Sequence, residues 1–193
     1  MSSFSSNRPV KVLGVTGSLR ANSNSSRLLE IASRELPGEA ELLPWNGLAE
    51  LPHYNLDVDD SGEPLAVAGL RRAIAAADAV LFVTPEYNGT IPGALKDAVD
   101  WASRPPGGAV LLGKPVAVVS SSPGRFGGVW AQADLRRSLG IAGARVLDVE
   151  FAVPNADEAF VERGELGDDA TRVALRELLE KLVEEARRTL AAA

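Results

Sequence analysis

The sequence VLFVTPEYNGTIPGALKDAVDW, residues 80–101, contains the signals of a strand, a turn and a helix in succession. Its first four residues are apolar, as in a strand buried on both faces of a parallel sheet. Pro85 cannot donate to a strand ladder, and Asn88-Gly89 is typical of a tight turn. Pro92 suits the first turn of a helix, along which apolar residues recur at helical spacing. Open α/β sheets bind ligands at turns of this kind, between the carboxyl end of a buried strand and a helix.

The same alternation of strand and helix continues along the whole chain. Strands are predicted over residues 10–15, 41–44, 79–83, 115–119 and 145–151. Helices are predicted over residues 26–35, 64–77 and 92–103, before residue 139, and from about residue 170, whereas residues 48–62 and 152–169 are predicted to be irregular. This pattern indicates an α/β fold with a doubly wound, five-stranded parallel sheet and helices on both faces, but periodicity alone does not give the strand order.

Composition excludes several classes of function. The 193 residues suit a single domain, and the net charge of −6 argues against a nucleic-acid surface. There is no cysteine and only one histidine, His53, so thiolate catalysis and sites rich in cysteine or histidine ligands are excluded. We expect residues 1–8 to lack order and to carry no signal peptide. No apolar run approaches the roughly 20 residues of a membrane span, so the expected location is cytoplasmic.

The loop after the first strand combines groups that suit an anion. Gly17 allows a sharp turn, and the amides that follow it can point towards one site at the start of a helix. Ser18, Ser23 and Ser25 add hydroxyl donors, and Arg20 adds a permanent charge. This set predicts a phosphate site, although an ordinary helix N-cap would need only one of these residues. The loop lacks the Gly-Lys-Ser/Thr of nucleoside-triphosphate loops and the G-x-G-x-x-G spacing of dinucleotide folds.

Three motifs together resemble the NADPH-dependent FMN reductase family, which includes flavodoxin-like quinone, azo and chromate reductases. They are Gly17-Ser-Leu-Arg-x-x-Ser23, the run from Thr84 to Lys96, and Ser120-Ser-Ser-Pro-Gly124. The resemblance implies a flavodoxin-like sheet of order 2-1-3-4-5 with FMN across the carboxyl ends of strands one, three and four. It also implies a homodimer or homotetramer with the flavin near a subunit interface.

The resemblance carries specific residues over to the cofactor. The FMN phosphate would be held by Ser18, Arg20, Ser23 and Ser25. The isoalloxazine edge would be lined by Pro85, Glu86, Tyr87, Asn88 and Gly89, and its other side would be closed by Ser121 and Gly124. Glu86 is alternatively a surface or interface carboxylate, and Arg125 would either receive the phosphate of NADPH or pair across a subunit interface. No catalytic side chain is implied, because the flavin carries the hydride chemistry.

The predicted activity is a transfer of two electrons from NADPH, through FMN, to a small acceptor in a ping-pong mechanism. The acceptor would be a quinone, an azo compound, a metal oxyanion or free flavin. One alternative is a non-enzymatic electron carrier of flavodoxin type, and another is a redox sensor or scaffold. Carriers usually hold FMN between aromatic rings, whereas residues 121–124 contain no aromatic side chain, which favours an enzyme. His53 is interpreted as an exposed loop histidine, and Asp97 is given no chemistry.

Overall fold

The fold is built on a parallel sheet. The computed structural model describes residues 8–105, 109–161 and 165–192. The main strands are β1 (Val10–Thr16), β2 (Ala40–Trp45), β3 (Ala79–Thr84), β4 (Pro115–Ser121) and β5 (Arg145–Val146), in the order β2-β1-β3-β4-β5. All residues of β3 and β4 are buried, as the apolar runs 79–83 and 115–119 predict, and the polar residues at their carboxyl ends are buried too. The flavodoxin-like order implied by the resemblance is confirmed.

Helices cover both faces of this sheet. They are α1 (Asn24–Glu35), α2 (Leu56–Ser61), α3 (Leu65–Ala76), α4 (Gly93–Ala102), α5 (Val129–Ile141), α6 (Ala156–Ala159) and α7 (Asp169–Ala191). One core lies between the sheet and helices α1 and α7, and a second lies between the sheet and helices α3, α4 and α5, so the predicted three layers are confirmed. None of the helices in the described part of the chain is long and apolar enough to span a membrane.

The region predicted as a loop over residues 48–62 is more ordered than expected. It contains a 3-10 helix, Leu48–Glu50, and the short helix α2. Asn55 caps α2, since its Oδ1 atom accepts a hydrogen bond from the amide of Asp57 at 2.9 Å. The prediction of a loop is therefore wrong here, because asparagine is common in turns and is equally suited to an N-cap.

The fifth strand, predicted as continuous over residues 145–151, is interrupted. β5 pairs with the start of β4, and a separate strand β6 (Ala152–Val153) pairs with its end. Val116 faces Val146 and Ser120 faces Ala152, so three residues of β4 (117–119) oppose five residues (147–151). Two extra residues therefore bulge out of the edge strand.

The segment that follows the bulge also departs from the expectation. Residues 152–169, predicted to be irregular, contain β6, α6 and an antiparallel pair of strands, β7 (Phe160–Val161) and β8 (Glu165–Leu166).

Most of the segment expected to lack order, residues 1–7, lies outside the described residues. Arg8 is described, and its guanidinium donates two hydrogen bonds to the Asp78 carboxylate at 2.7 and 2.8 Å.

Candidate functional site

Three loops predicted to hold a ligand leave the sheet side by side. Parallel pairing sets Thr16 of β1 opposite Val83 of β3, and Thr84 opposite Ser120 of β4. The loops that follow these three strands therefore start at one edge of the sheet. The structure thus brings together the three motifs that carried the family resemblance.

The first loop touches the second through a glycine. The amide of Gly17 donates to the carbonyl of Val83 at 2.8 Å, which continues the ladder beyond β1. A Cβ atom at Gly17 would lie 2.8 Å from Leu95 Cδ2 and 3.0 Å from Pro85 Cδ. Only glycine permits this approach without a shift of the neighbours, so Gly17 fixes the distance between the two loops.

The four predicted phosphate ligands differ in their surroundings. Arg20 is exposed and Ser18 is half-buried, and the Ser18 hydroxyl accepts a hydrogen bond from the Arg20 amide at 3.3 Å. Ser23 is the N-cap of α1, and its Oγ atom accepts from the Ser26 amide at 3.0 Å. Ser25 is only 1% exposed, and its buried hydroxyl has no hydrogen-bond partner among the described residues. Ser18 and Arg20 are therefore the two ligands open to a bound anion.

The second loop is a short hairpin whose tip is exposed. Tyr87 and Thr90 exchange two backbone hydrogen bonds, of 3.0 and 3.2 Å. The residues between them, Asn88 and Gly89, have φ angles of 52° and 75°. Positive values at both central positions are those of a type I′ turn, which favours Asn-Gly. The predicted tight turn is confirmed, and its residues Tyr87, Asn88 and Gly89 all lie at the surface.

The third loop is held by the segment that follows β6. The carbonyl of Ser122 accepts from the amide of Ala156 at 3.0 Å, and that of Gly124 accepts from Asn155 at 3.2 Å. Ser121 is 1% exposed, and its hydroxyl lacks a hydrogen-bond partner within the described residues. The loop therefore presents mainly its backbone and the exposed side chains of Arg125 and Phe126.

A cation and two aromatic rings lie exposed at the end of this loop and the start of α5. The Arg125 guanidinium lies 4.5 Å from the centre of the Phe126 ring. Phe126 in turn packs edge-on against Trp130, with ring centres 5.0 Å apart. The rings are 46% and 51% exposed respectively, so both border the solvent next to the loop. The cation–π contact holds the Arg125 charge in place.

The Glu86 side chain is directed at a helix. Its Oε2 atom accepts hydrogen bonds from the amides of Trp130 and Ala131, each at 3.1 Å. A second link joins the same elements, because the Thr90 hydroxyl donates to Asp134 at 2.6 Å. Hydrogen bonds from Thr90 and Arg137 lower the pKa of Asp134. The Glu86 carboxylate is thus bound to the start of α5, an arrangement that neither interpretation of Glu86 included, and its place at the flavin edge stays a prediction.

Sequence reasoning also missed a partner of the only histidine. His53 is 99% exposed in its side chain, which confirms the expected exposed loop histidine. Its Nδ1 atom lies 2.9 Å from Asp97 Oδ2, and Asp97 Oδ1 accepts from the Tyr54 amide at 2.9 Å. Asp97 therefore anchors the loop that follows β2 to helix α4.

The available groups fit FMN. Buried hydroxyls are normally hydrogen-bonded, so the unpaired hydroxyls of Ser25 and Ser121 suit a site that is completed by a polar ligand. Ser18, Arg20 and the start of α1 offer donors to a phosphate, and the exposed turn offers amides to a polar ring edge. The individual contacts to the cofactor stay predictions.

Comparison with known proteins agrees with this geometry. Residues 10–158 match the family described as NADPH-dependent FMN reductase. The chain is 44% identical over 176 residues to an NAD(P)H-dependent FMN reductase of Pseudomonas aeruginosa, covering 90% of this chain and 93% of that one. It is 39% identical to a quinone reductase of Pseudomonas putida, covering 86% of this chain and 89% of the relative.

A solved structure extends the similarity to three dimensions. The flavoenzyme FerB of Paracoccus denitrificans, an NAD(P)H:(acceptor) oxidoreductase, superposes with a TM-score of 0.82 and 33% identity. The match covers 93% of this chain and 98% of FerB. The family description names the two cofactors expected from the sequence, FMN and NADPH. The chain therefore belongs to the NADPH-dependent FMN reductase family and is an oxidoreductase.

Proposed function

We propose that this protein binds FMN across the carboxyl ends of β1, β3 and β4 and transfers two electrons from NADPH or NADH to a small acceptor. The observation that carries the proposal is the contact at Gly17, which places the serine–arginine loop directly beside the loop of the Tyr87–Thr90 turn. One loop offers donors to a phosphate, and the other offers exposed amides to a ring. A ligand that joins a phosphate to a polar heterocycle satisfies both.

Each loop has its own task in this proposal. Ser18 and Arg20 bind the phosphate together with the amino end of α1, where the hydroxyls of Ser23 and Ser25 complete the set of donors. Residues 85–89 contact the isoalloxazine edge through their backbone, and Ser121 and Gly124 close its other side. When bound, FMN supplies the hydride chemistry, so the protein needs no acid or base of its own. The protein's part is to bind, orient and control access.

We further propose that the nicotinamide and the acceptor use one place in turn. The third loop is rich in glycine and carries no aromatic side chain before Phe126, so it leaves room for a flat molecule. Arg125 lies at the surface of this loop and receives the phosphate of NADPH. Quinones are the favoured acceptors, because a relative in Pseudomonas putida is a quinone reductase. Azo compounds, metal oxyanions and free flavin remain alternative acceptors.

Steady turnover tests this activity. Purified protein should retain or take up FMN on gel filtration, and with FMN bound it should consume NADPH steadily when a benzoquinone is supplied. A flavodoxin-type carrier would bind FMN but consume little NADPH on its own. Protein that binds no FMN at micromolar concentrations would overturn the proposal, and rates with NADH beside NADPH would identify the preferred reductant.

The same proposal includes a homodimer or homotetramer in the cytoplasm, where NAD(P)H is available. Several large apolar side chains lie exposed on α5 and on the loop before it, namely Phe126, Trp130 and Ile141. Exposed apolar patches of this kind are common at subunit interfaces. Light scattering coupled to gel filtration would measure the mass, and a monomer of 20.3 kDa would contradict this part.

A further inference from the structure

We infer that Glu86 is a positioning residue that joins two of the loops around the proposed flavin site. Helix α5 starts at Val129, and its N-cap residue, Gly128, provides no side-chain hydrogen bond. The Glu86 carboxylate supplies the missing acceptor, since it receives the amides of Trp130 and Ala131. Glu86 thus caps a helix that begins 43 residues further along the chain.

The packing around Gly128 explains why the cap comes from another loop. Gly128 has a φ angle of 87°, in the left-handed region. A Cβ atom there would lie 3.2 Å from Ser120 Cβ and 3.5 Å from Glu86 Cβ. A serine or aspartate at this position would therefore be both strained and crowded. The positive end of the helix dipole is instead met by the negative charge of Glu86.

A second contact makes the connection between the two elements rigid. Thr90 donates to Asp134, which lies about one helical turn beyond Trp130. The hairpin at 86–90 is consequently tied to α5 at both of its ends. The Gly124–Gly128 loop leads directly into α5, so the same two contacts hold the end of that loop. The second and third loops form one unit through Glu86.

For flavin binding, this inference rests on the proposed function. If the second and third loops flank the flavin ring, loss of the α5 cap would leave the third loop in its binding position less often, and the apparent dissociation constant of the flavin would rise accordingly. The phosphate lies on the first loop, which Glu86 does not contact. FMN and riboflavin, which differ only in the phosphate, should therefore be affected equally. A loss confined to FMN would place Glu86 at the phosphate instead.

The experiment compares three variants with the wild-type protein. Glu86→Ala removes the cap, and Glu86→Gln keeps an oxygen that can accept both hydrogen bonds. Asp168→Ala is the matched control, because Asp168 caps α7 in the other helical layer by accepting from the Thr171 amide at 2.8 Å. For each protein, flavin fluorescence gives the dissociation constants of FMN and riboflavin. Hydrogen exchange of the flavin-free protein gives the protection of the amides at Trp130 and Ala131.

We expect Glu86→Ala to raise both dissociation constants by the same factor, up to about tenfold, within the range known for the loss of an N-cap. Exchange at Trp130 and Ala131 should accelerate by at least that factor, and Glu86→Gln should restore most of both effects. Asp168→Ala should lower thermal stability but change neither the flavin dissociation constants nor the exchange at Trp130 and Ala131. Unaltered exchange in Glu86→Ala, or weaker flavin binding in Asp168→Ala, would overturn the inference. Wild-type protein that binds no flavin would refute the proposed function alone, and the exchange data would still decide whether Glu86 holds the loop.

Discussion

Replacing Gly127 with alanine should destabilise the protein through the third loop. Gly127 has a φ angle of 63°, and an added Cβ atom would lie 2.8 Å from both Pro154 N and Val153 C. The left-handed conformation costs an alanine about 1–2 kcal/mol. The contacts are with backbone atoms that cannot rotate away, and such overpacking costs about 1–3 kcal/mol more. The expected loss in the free energy of unfolding is the sum, about 2–5 kcal/mol.

A second glycine separates these two contributions. Gly113 has a similar φ angle of 69°, but a Cβ atom there would meet nothing within 4 Å. Gly113→Ala should therefore lose only the conformational part, about 1–2 kcal/mol. The difference between the two variants then measures how tightly the third loop is packed against the segment after β6.

Urea unfolding of both variants, followed by circular dichroism without added flavin, provides the measurement. The midpoint for Gly127→Ala should lie clearly below that for Gly113→Ala, with similar slopes for the two curves. Equal losses would mean that the third loop moves away from residues 153–154 without cost. In that case the loop would be too loosely held to define one side of a flavin site.

Three other substitutions test the roles of the charged side chains Arg20, Arg125 and Asp78. Arg20→Ala should weaken FMN roughly ten- to a hundredfold but leave riboflavin unchanged, as expected for a charge-assisted contact to phosphate; equal losses in the two titrations would contradict this. Arg125→Ala should raise the Michaelis constant for NADPH while the rate of reoxidation by quinone is barely altered. Double-reciprocal plots that intersect rather than run parallel would exclude a site shared by NADPH and the acceptor. Burial of Asp78 opposes its ionisation, but hydrogen bonds from Arg8 and the Lys11 amide outweigh burial and lower its pKa below the ordinary 3.8. The Asp78→Asn variant should therefore be less stable than wild type in urea at neutral pH. This difference in stability should shrink as the pH falls below 3.8 and through the lowered pKa of Asp78 in the folded protein. A difference that stays constant with pH would refute the role of the Asp78 charge.

The central part of the fold could be predicted because its local signals agree with its packing. The first five residues of β3 are apolar and the whole strand is buried, and the Asn88-Gly89 pair adopts the positive φ angles that this dipeptide favours. The predicted helix over residues 64–77 differs by one residue at each end from α3, Leu65–Ala76. Where propensity, burial and turn chemistry point to one structure, a single sequence is sufficient.

The edge strand could not be predicted, because its interruption depends on a distant side chain. Gln132 lies in α5 and is completely buried. Its Nε2 atom donates to the carbonyl of Phe151 at 2.5 Å and to the Ser120 hydroxyl at 3.2 Å. These bonds hold the chain where it returns to β4 after the bulge. A glutamine in a helix is usually exposed, so the sequence carries no local signal of this contact.

At the candidate site, too, the contacts of a charged side chain could not be predicted from the sequence. The motif identified Glu86 as a residue near the cofactor, but a residue's place in a motif does not say where its side chain points. Its partners, the amides of Trp130 and Ala131, are 44 and 45 residues away along the chain. They are backbone groups, which every sequence supplies at every position, so no residue type marks them. The need for a cap becomes visible only at α5 itself, where the N-cap residue Gly128 has no side-chain acceptor and Glu86 of the neighbouring loop accepts instead. A helix that starts with glycine beside a carboxylate of an adjacent loop is therefore a signal that two loops are coupled, and it can be found only once the strand order is known.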